Sequence, residues 1–197
     1  NPVEALQHFW NVFVVDVAFG TFDPHNGNWR FLYHNDDTQS ATLAPVYDCG
    51  SCLLSLADVQ VRRAVLSNQD ELSPDLPLSD FGIKQNDRKI NYYDFLMAAE
   101  NKDCNAAVTR MMPRFHLDEM QAFIREVPFL DELQRQFYQT YLSARMERLM
   151  IPVIDGLWSN SSIYHRDFIC ECKVQDRFRI FGSGPEFANK LITLSGW

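Results

Sequence analysis

Two stretches of this sequence decide its fold: GTFDPHNGNW at residues 20–29 and LAPVYDCGS at residues 43–51. The first places Asp23 and Asn28 five residues apart in a polar loop, and the second places Asp48 after a short apolar run. Runs of bulky residues around a cluster of Asn and Asp lie between them and predict a β-hairpin. Because a hairpin brings its own ends together, we expect Asn28 and Asp48 to meet at one site.

The predicted hairpin has strands at residues 29–33 and 41–44, joined by a turn at residues 35–37. A helix is predicted directly before the polar loop. Pro2 suits its first position, Asn1 can cap it, and Gly20 ends it. Its apolar residues recur at helical spacing and form one face: Val3, Leu6, Trp10, Phe13, Val14 and Val17.

Helical patterns dominate the rest of the chain. We predict helices at Val59–Leu66, from Asn91, from a cap at Asp103 through Met112, and from Leu117 to about Trp158 with breaks near Pro128 and Pro152. Residues 67–89 carry several breakers and predict a long loop, and residues 178–181 are compatible with a strand. The sequence therefore predicts a mainly α protein with one small β-hairpin.

Composition restricts the function classes. The 197 residues carry a net charge of −8, and 46% of them are hydrophobic, which is enough to form a core. The acidic balance disfavours direct binding to nucleic acid or to an anionic membrane. No apolar stretch approaches the roughly 18 residues that a membrane-spanning helix needs. The chain opens on Asn-Pro, so we expect residue 1 not to be the natural start.

The cysteines indicate a reducing compartment. Five cysteines are an odd number and do not form the even, closely spaced set of a secreted disulfide scaffold. Cys49-x-x-Cys52 could supply two zinc ligands, but its only companion is Cys170-x-Cys172, at an unusual spacing. We therefore expect reduced thiols in a cytoplasmic protein.

The residues that the hairpin brings together suit phosphoryl transfer. This reaction needs a carboxylate to orient the attacking hydroxyl and take its proton, and amide and carboxylate oxygens to hold Mg²⁺. Asp23, then Asn28, then Asp48 before a glycine supplies these groups in the order that protein kinases use. Taken singly, each of these residues is more commonly a turn former.

Together these two stretches resemble the C-terminal region of HipA-like serine/threonine kinases, above all the CtkA-type branch with its Pro-x-Tyr-Asp-x-Gly-Ser segment. The resemblance implies a kinase-like C-terminal lobe, ATP and Mg²⁺ as cofactors, Asp23 as catalytic base, and Asn28 and Asp48 as metal ligands that bind the cofactor. His25 would be a catalytic-loop residue near the phosphates or the base. HipA-like proteins often carry Lys before the Asn, where this chain has Gly27.

By the same resemblance, residues 1–197 form the helical C-terminal lobe, and a nucleotide-clamping N-terminal lobe lies upstream of this chain. The implied partners are a protein substrate with Ser or Thr and an antitoxin or regulatory protein, with neither nucleic acid nor membrane. Two alternatives stay open. A phosphoinositide-type lipid kinase also uses Asp-x-His-x-x-Asn before Asp-x-Gly, and a non-catalytic binding module is suggested by the lack of a Gly-rich loop and a Val-Ala-x-Lys strand.

Overall fold

The computed structural model describes residues 2–21, 30–33, 41–68, 72, 84–85, 88–89 and 91–160. These residues are mostly α-helical and include two small antiparallel sheets. They fall into two units, one formed by residues 1–25 with 50–164 and the other by residues 26–49 with 165–197. The mainly α fold with a β-hairpin that the sequence predicts is therefore confirmed.

The first unit is a cluster of helices. In chain order they are α1 (Pro2–Phe19), α2 (Val59–Ser67), α3 (Tyr92–Ala98), α4 (Lys102–Met111), α5 (Leu117–Glu126), α6 (Glu132–Arg145) and α7 (Ile151–Asn160). Single 3-10 turns lie at Cys52–Leu54 and Met112–Arg114, and a π-helical turn lies at Met146–Met150. A two-residue pairing of Lys84–Gln85 with Arg88–Lys89 lies inside the predicted long loop.

Helix α1 is the centre of the main core. It packs against α4 and α6, and its buried residues are Trp10, Phe13, Val14, Val17 and Ala18. The Trp10 ring stacks on Phe95 of α3 at a centroid distance of 5.8 Å. Val3 and Leu6, which the helical pattern placed on the same face, are exposed. The apolar face of α1 is thus buried only over its C-terminal two thirds, the part that leads to residue 20.

Two local sequence predictions need correction. Helix α4 is capped by Asn101, whose side-chain oxygen accepts from the Cys104 backbone N–H at 2.9 Å, so Asp103 lies inside the helix rather than at its cap. The chain also stays helical through Pro152. A proline has no backbone N–H to donate, and the π-helical turn just before it changes the hydrogen-bond pattern there. The predicted break near Pro128 is present, and α6 restarts at a capping box of Asp131 and Gln134.

The second unit contains the predicted hairpin. Strand β1 (Phe31–Tyr33) pairs with β2 (Ala41–Leu43) in an antiparallel register in which Phe31 faces Leu43 and Tyr33 faces Ala41. The pairing continues beyond the strands, because the Ala44 N–H donates to the Arg30 carbonyl at 2.8 Å. The hairpin prediction is confirmed. The strand predicted at residues 178–181 lies outside the described residues.

None of the helices in the described part of the chain combines the length and the apolar character that crossing a bilayer requires.

A buried arginine joins α6 to the end of α1. Arg145 is 4% exposed, and its guanidinium donates to the Tyr92 hydroxyl at 3.0 Å and to the Val17 carbonyl. It also lies over the Tyr92 ring, 5.4 Å from the centroid. The carbonyl end of a helix carries partial negative charge, so a buried cation at Val17 stabilises the last turn of α1. Arg145 therefore connects three helices at the point where α1 ends.

We expect Arg145→Met to lower the free energy of unfolding by about 2 to 4 kcal/mol, because the buried Tyr92 hydroxyl and the Val17 carbonyl lose a charged donor. Urea unfolding measures this change. Arg125→Met is the matched control, since Arg125 is exposed on α5, and it should change stability by less than about 0.5 kcal/mol. Equal losses in the two variants would contradict the role given to Arg145.

Candidate active site

The structure describes the residues that flank the predicted catalytic loop. Asp23, His25 and Asn28 belong to residues 22–29, which lie outside the described part of the chain. Asp48 is described and belongs to the second unit. On the first unit, the described residues end at Thr21 before the loop and begin again at Gly50 after Asp48.

The C-terminus of α1 is closed by a Schellman motif at the entrance to the loop. The Thr21 N–H donates to the Asp16 carbonyl at 2.9 Å, and the Gly20 N–H donates to the Val17 carbonyl at 3.3 Å. This pair of bonds requires a left-handed residue just past the helix, and Gly20 has a φ of +60°. The chain therefore leaves α1 in a defined direction, only three residues before Asp23.

Gly20 is also required by its surroundings. A Cβ at this position would clash with the hydroxyl of Tyr141 and lie 3.0 Å from its Cε1. Tyr141 is fully buried on α6, and its hydroxyl has no hydrogen-bond partner among the described residues. Burial raises the pKa of this hydroxyl, while the charge of Arg145 acts in the opposite direction, so Tyr141 is neutral. The Gly20 backbone, just before the predicted catalytic loop, is therefore in close contact with the buried Tyr141 side chain.

A chain of side-chain hydrogen bonds lies beside the motif. The Thr21 hydroxyl donates to Asp16 Oδ1 at 2.9 Å and lies 3.1 Å from Cys52 Sγ. Thr21 is only 3% exposed. Burial raises the pKa of the Asp16 carboxyl to about 6, and the hydrogen bond from Thr21 lowers it by a smaller amount. Asp16 is therefore mainly ionised at neutral pH, at a cost in stability.

Asp48 has a left-handed backbone conformation. Its φ is +62°, in the left-handed region that non-glycine residues other than Asn and Asp seldom adopt, and its side chain is exposed. Residues held in such conformations are concentrated at functional sites. Asp48 thus lies five residues after the end of β2, as an exposed carboxylate on a left-handed backbone.

The segment that follows Asp48 is strained and well anchored. Leu53 and Leu54 also have positive φ values, 56° and 50°, which cost roughly 1–2 kcal/mol per residue. Both leucines pack into apolar clusters of the first unit. Arg62 of α2 donates to the Ser55 carbonyl at 3.0 Å, and the Ser55 hydroxyl donates to the Gly50 carbonyl. The partial burial of Leu53 and Leu54 and these bonds offset the strain.

No disulfide bond joins the described cysteines, Cys49, Cys52 and Cys104. Cys49 is exposed, Cys52 is partly buried beside Thr21, and Cys104 is buried in the core. Burial raises the pKa of the Cys104 thiol to about 12, so this thiol is protonated and unreactive. Cys170 and Cys172 lie outside the described residues.

Sequence reasoning missed Asp16, Thr21 and Arg145. Two signals could have found the charged residues. Arg145 follows Phe137 and Tyr141 at intervals of four, so it shares their helix face, and Asp16 interrupts the apolar end of α1. Thr21 offers no such signal, because a threonine after a helix-ending glycine is common in loops.

Comparison with known proteins identifies a related kinase. The chain is 42% identical over 148 residues to the serine/threonine-protein kinase CtkA of Helicobacter pylori strain J99, a match that covers 72% of this chain and 44% of that protein. The crystal structure of the H. pylori proinflammatory kinase CtkA matches with a TM-score of 0.70 and 37% identity, over 82% of this chain and 57% of the other. No family model matches the chain.

These matches confirm the resemblance to CtkA-type kinases that the two sequence stretches carry, and they confirm the kinase-like, mainly helical fold. The chain spans less than half the length of the curated relative.

We expect Gly20→Ala to lower the free energy of unfolding by about 2 to 4 kcal/mol, because alanine is strained at a φ of +60° and its Cβ clashes with Tyr141. In a Tyr141→Phe background the loss should be smaller, since the clashing hydroxyl is gone. Thermal and urea unfolding measure both.

Gly156→Ala is the matched control for this prediction. Gly156 lies in α7 and a Cβ there would meet no atom within 4 Å. Alanine should raise stability by roughly 0.5–1 kcal/mol at that position. The same loss from Gly20→Ala with and without the Tyr141 hydroxyl would contradict the steric argument.

Because the pKa of the Asp16 carboxyl is raised, we expect Asp16→Asn to increase the free energy of unfolding in a pH-dependent way. The folded-state pKa of about 6 lies above the ordinary value of 3.8, so ionised Asp16 destabilises the fold at pH 7.5 by up to about 3 kcal/mol. Asparagine carries no charge and keeps an oxygen that accepts from Thr21. We therefore expect Asp16→Asn to be more stable than the wild type at pH 7.5, with most of the gain lost between pH 6 and pH 4.

Urea unfolding at pH 7.5 and pH 4.5 measures the gain, with Asp103→Asn on the exposed face of α4 as the control. A gain that does not depend on pH would show that the Asp16 carboxyl is not destabilising.

Proposed function

We propose that this chain, a relative of the serine/threonine-protein kinase CtkA, is the catalytic helical lobe of an ATP- and Mg²⁺-dependent protein serine/threonine kinase. The match to that kinase, at 42% identity over 148 residues with a matching solved fold, carries the proposal. The motif residues Asp23, Asn28 and Asp48 occur in this chain in the order that kinases use. The proposal assigns their chemistry residue by residue.

Asp23 is the catalytic base in this proposal. Its carboxylate orients a Ser or Thr hydroxyl of the protein substrate and takes its proton. The hydroxyl oxygen forms a bond to the γ-phosphorus of ATP, and the bond to the β-phosphate oxygen breaks, so ADP leaves. The Schellman motif that ends at Thr21 supports this role, because it sets the direction in which the chain leaves α1 two residues before Asp23.

Asn28 and Asp48 are the proposed metal ligands. An amide oxygen and a carboxylate oxygen are hard donors that suit Mg²⁺, and the exposed, left-handed Asp48 presents its carboxylate to a ligand. When bound, Mg²⁺ neutralises negative charge on the nucleotide phosphates. His25 is proposed to lie near the phosphates or the base. Gly27 stands where HipA-like proteins often carry Lys, and in this proposal His25 supplies part of the phosphate neutralisation that the Lys would provide.

The proposal also includes the setting in which the chain works. Residues 1–197 would form the C-terminal lobe beside an N-terminal lobe that clamps the nucleotide, which is consistent with a chain that spans 44% of its curated relative. A cytoplasmic location is supported by the cysteine pattern, because five cysteines do not form the even, closely spaced set of a secreted disulfide scaffold. A protein substrate and an antitoxin or regulatory partner are supported by the resemblance to HipA-like kinases.

The test is Mg²⁺-dependent autophosphorylation of the complete protein with radiolabelled ATP. We expect Asp23→Ala and Asp48→Ala each to lower the rate by about 100-fold or more, because one removes the base and the other a metal ligand. Asp103→Ala, at an exposed position on α4, should retain the wild-type rate. Phosphoamino-acid analysis should find phosphoserine or phosphothreonine.

Transfer that survives both substitutions would contradict the assignment. A wild-type protein that neither binds nor turns over ATP would favour the non-catalytic binding module. Label that appears on phosphoinositide vesicles and not on protein would favour the lipid kinase.

A further inference from the structure

We propose that Thr21 is a positioning residue for the transfer reaction, because its hydroxyl ties the start of the catalytic loop to the segment that follows Asp48. The catalytic consequence rests on the proposed function. The hydrogen bonds themselves lie among described residues of the first unit. Thr21 does not touch the reacting atoms in this proposal, but acts through Asp23, two residues further along the chain.

The direction of the hydrogen bonds follows from the chemistry of the hydroxyl. Thr21 has one hydroxyl hydrogen, and it is donated to Asp16 Oδ1 at 2.9 Å. The Thr21 oxygen therefore accepts from the Cys52 thiol, whose sulfur is 3.1 Å away. The result is a directed chain from Cys52 through Thr21 to the Asp16 carboxylate. In such a chain each bond polarises the next, and a charged acceptor strengthens it.

Both ends of this chain are held by packing. Asp16 lies on α1, between the buried residues Val14 and Val17. Cys52 begins the 3-10 turn whose next residue, Leu53, packs against the main core. The Thr21 hydroxyl therefore connects a helix to a 3-10 turn that packs against the core. Its removal would weaken the connection between these two elements.

The hydroxyl is not needed to end α1. The Schellman bonds are made by the backbone N–H groups of Gly20 and Thr21, which any residue except proline would supply at position 21. Because Thr21 is only 3% exposed, water cannot readily replace the lost partner of Asp16 or Cys52. The side chain therefore serves the link between the two segments, a role separate from helix capping.

The activity test compares two substitutions in the complete protein. Thr21→Val keeps the branched shape and removes the hydroxyl, whereas Thr21→Ser keeps the hydroxyl. We expect Thr21→Val to lower kcat by roughly 10- to 100-fold, because small displacements of a catalytic group have effects of this size. The KM for ATP should change by less than about twofold, since Thr21 makes no contact with nucleotide in this proposal. Thr21→Ser should restore most of kcat.

Thr109→Val is the matched control. Its hydroxyl also makes a hydrogen bond, to the Asn105 carbonyl at 3.0 Å, but it lies on the exposed face of α4. It should retain the wild-type kcat. A Thr21→Val variant with wild-type kcat, or a Thr21→Ser variant as impaired as Thr21→Val, would overturn the inference.

Amide hydrogen exchange tests the link without any activity. Thr21→Val should speed exchange in peptides that cover residues 50–57, across the link from the substitution, and Thr21→Ser and Thr109→Val should not. Cys52→Ala should have the same effect as Thr21→Val, and the double variant should add little to either single one.

The two proposals fail in different ways. If the wild type is inactive but Thr21→Val speeds amide exchange at residues 50–57, the kinase activity is rejected and the link is retained. An active wild type with unchanged exchange in Thr21→Val would reject the link and retain the kinase.

Discussion

The guanidinium of Arg145 on the carbonyl end of α1 is the interaction on which the rest of the first unit depends. A helix end leaves carbonyl groups without partners, and here the end is buried, so water cannot serve them. The Val17 carbonyl accepts from the Gly20 N–H and from Arg145, which also reaches Tyr92 of α3. A single cation from α6 thus joins the three helices. The end of α1 is in turn where residues 20 and 21 begin the predicted catalytic loop.

The space around Gly20, at the end of α1, is also restricted. Tyr141, one turn before Arg145 on α6, occupies the volume that a side chain at residue 20 would need. The left-handed conformation and the close contact both demand glycine, so two independent constraints select the same residue. Asp16 adds a cost, because its carboxylate is partly buried and ionised at neutral pH. A fold that keeps such a residue beside a candidate site gives up stability at that position.

The segment from Asp48 to Leu54 also loses stability to hold a particular backbone geometry. Asp48, Leu53 and Leu54 all have positive φ values within seven residues of chain, and none of them is glycine. The two leucines are held there by packing against an apolar cluster and by neighbouring bonds, including that of Arg62 to the Ser55 carbonyl. Strain of this kind persists only where surrounding packing over-determines the backbone. It is concentrated here next to the carboxylate that the proposal assigns to the metal.

Local sequence patterns were sufficient to predict the elements whose conformation depends on residues close together in the chain. The hairpin at residues 31–43, helix α2 and the end of α1 at Gly20 follow from turn residues, periodicity and glycine conformation, and the structure confirms them. The assignment of Asp23, His25 and Asn28 remains a sequence prediction, since these residues lie outside those described. Asp103 was wrong as a cap because Asn101 reaches the same helix end, a choice between neighbouring polar residues that pattern alone does not settle.

The sequence by itself thus determined the order of the elements, the position of the hairpin and the motif that indicates a kinase, because each depends on residues close together in the chain. Only the tertiary structure decided that Arg145 is buried on α1, that Tyr141 faces Gly20 and that Thr21 meets Cys52. These contacts join residues 31 to 128 positions apart. Packing of several helices brings such residues together, and no local pattern in the chain records which of them will meet.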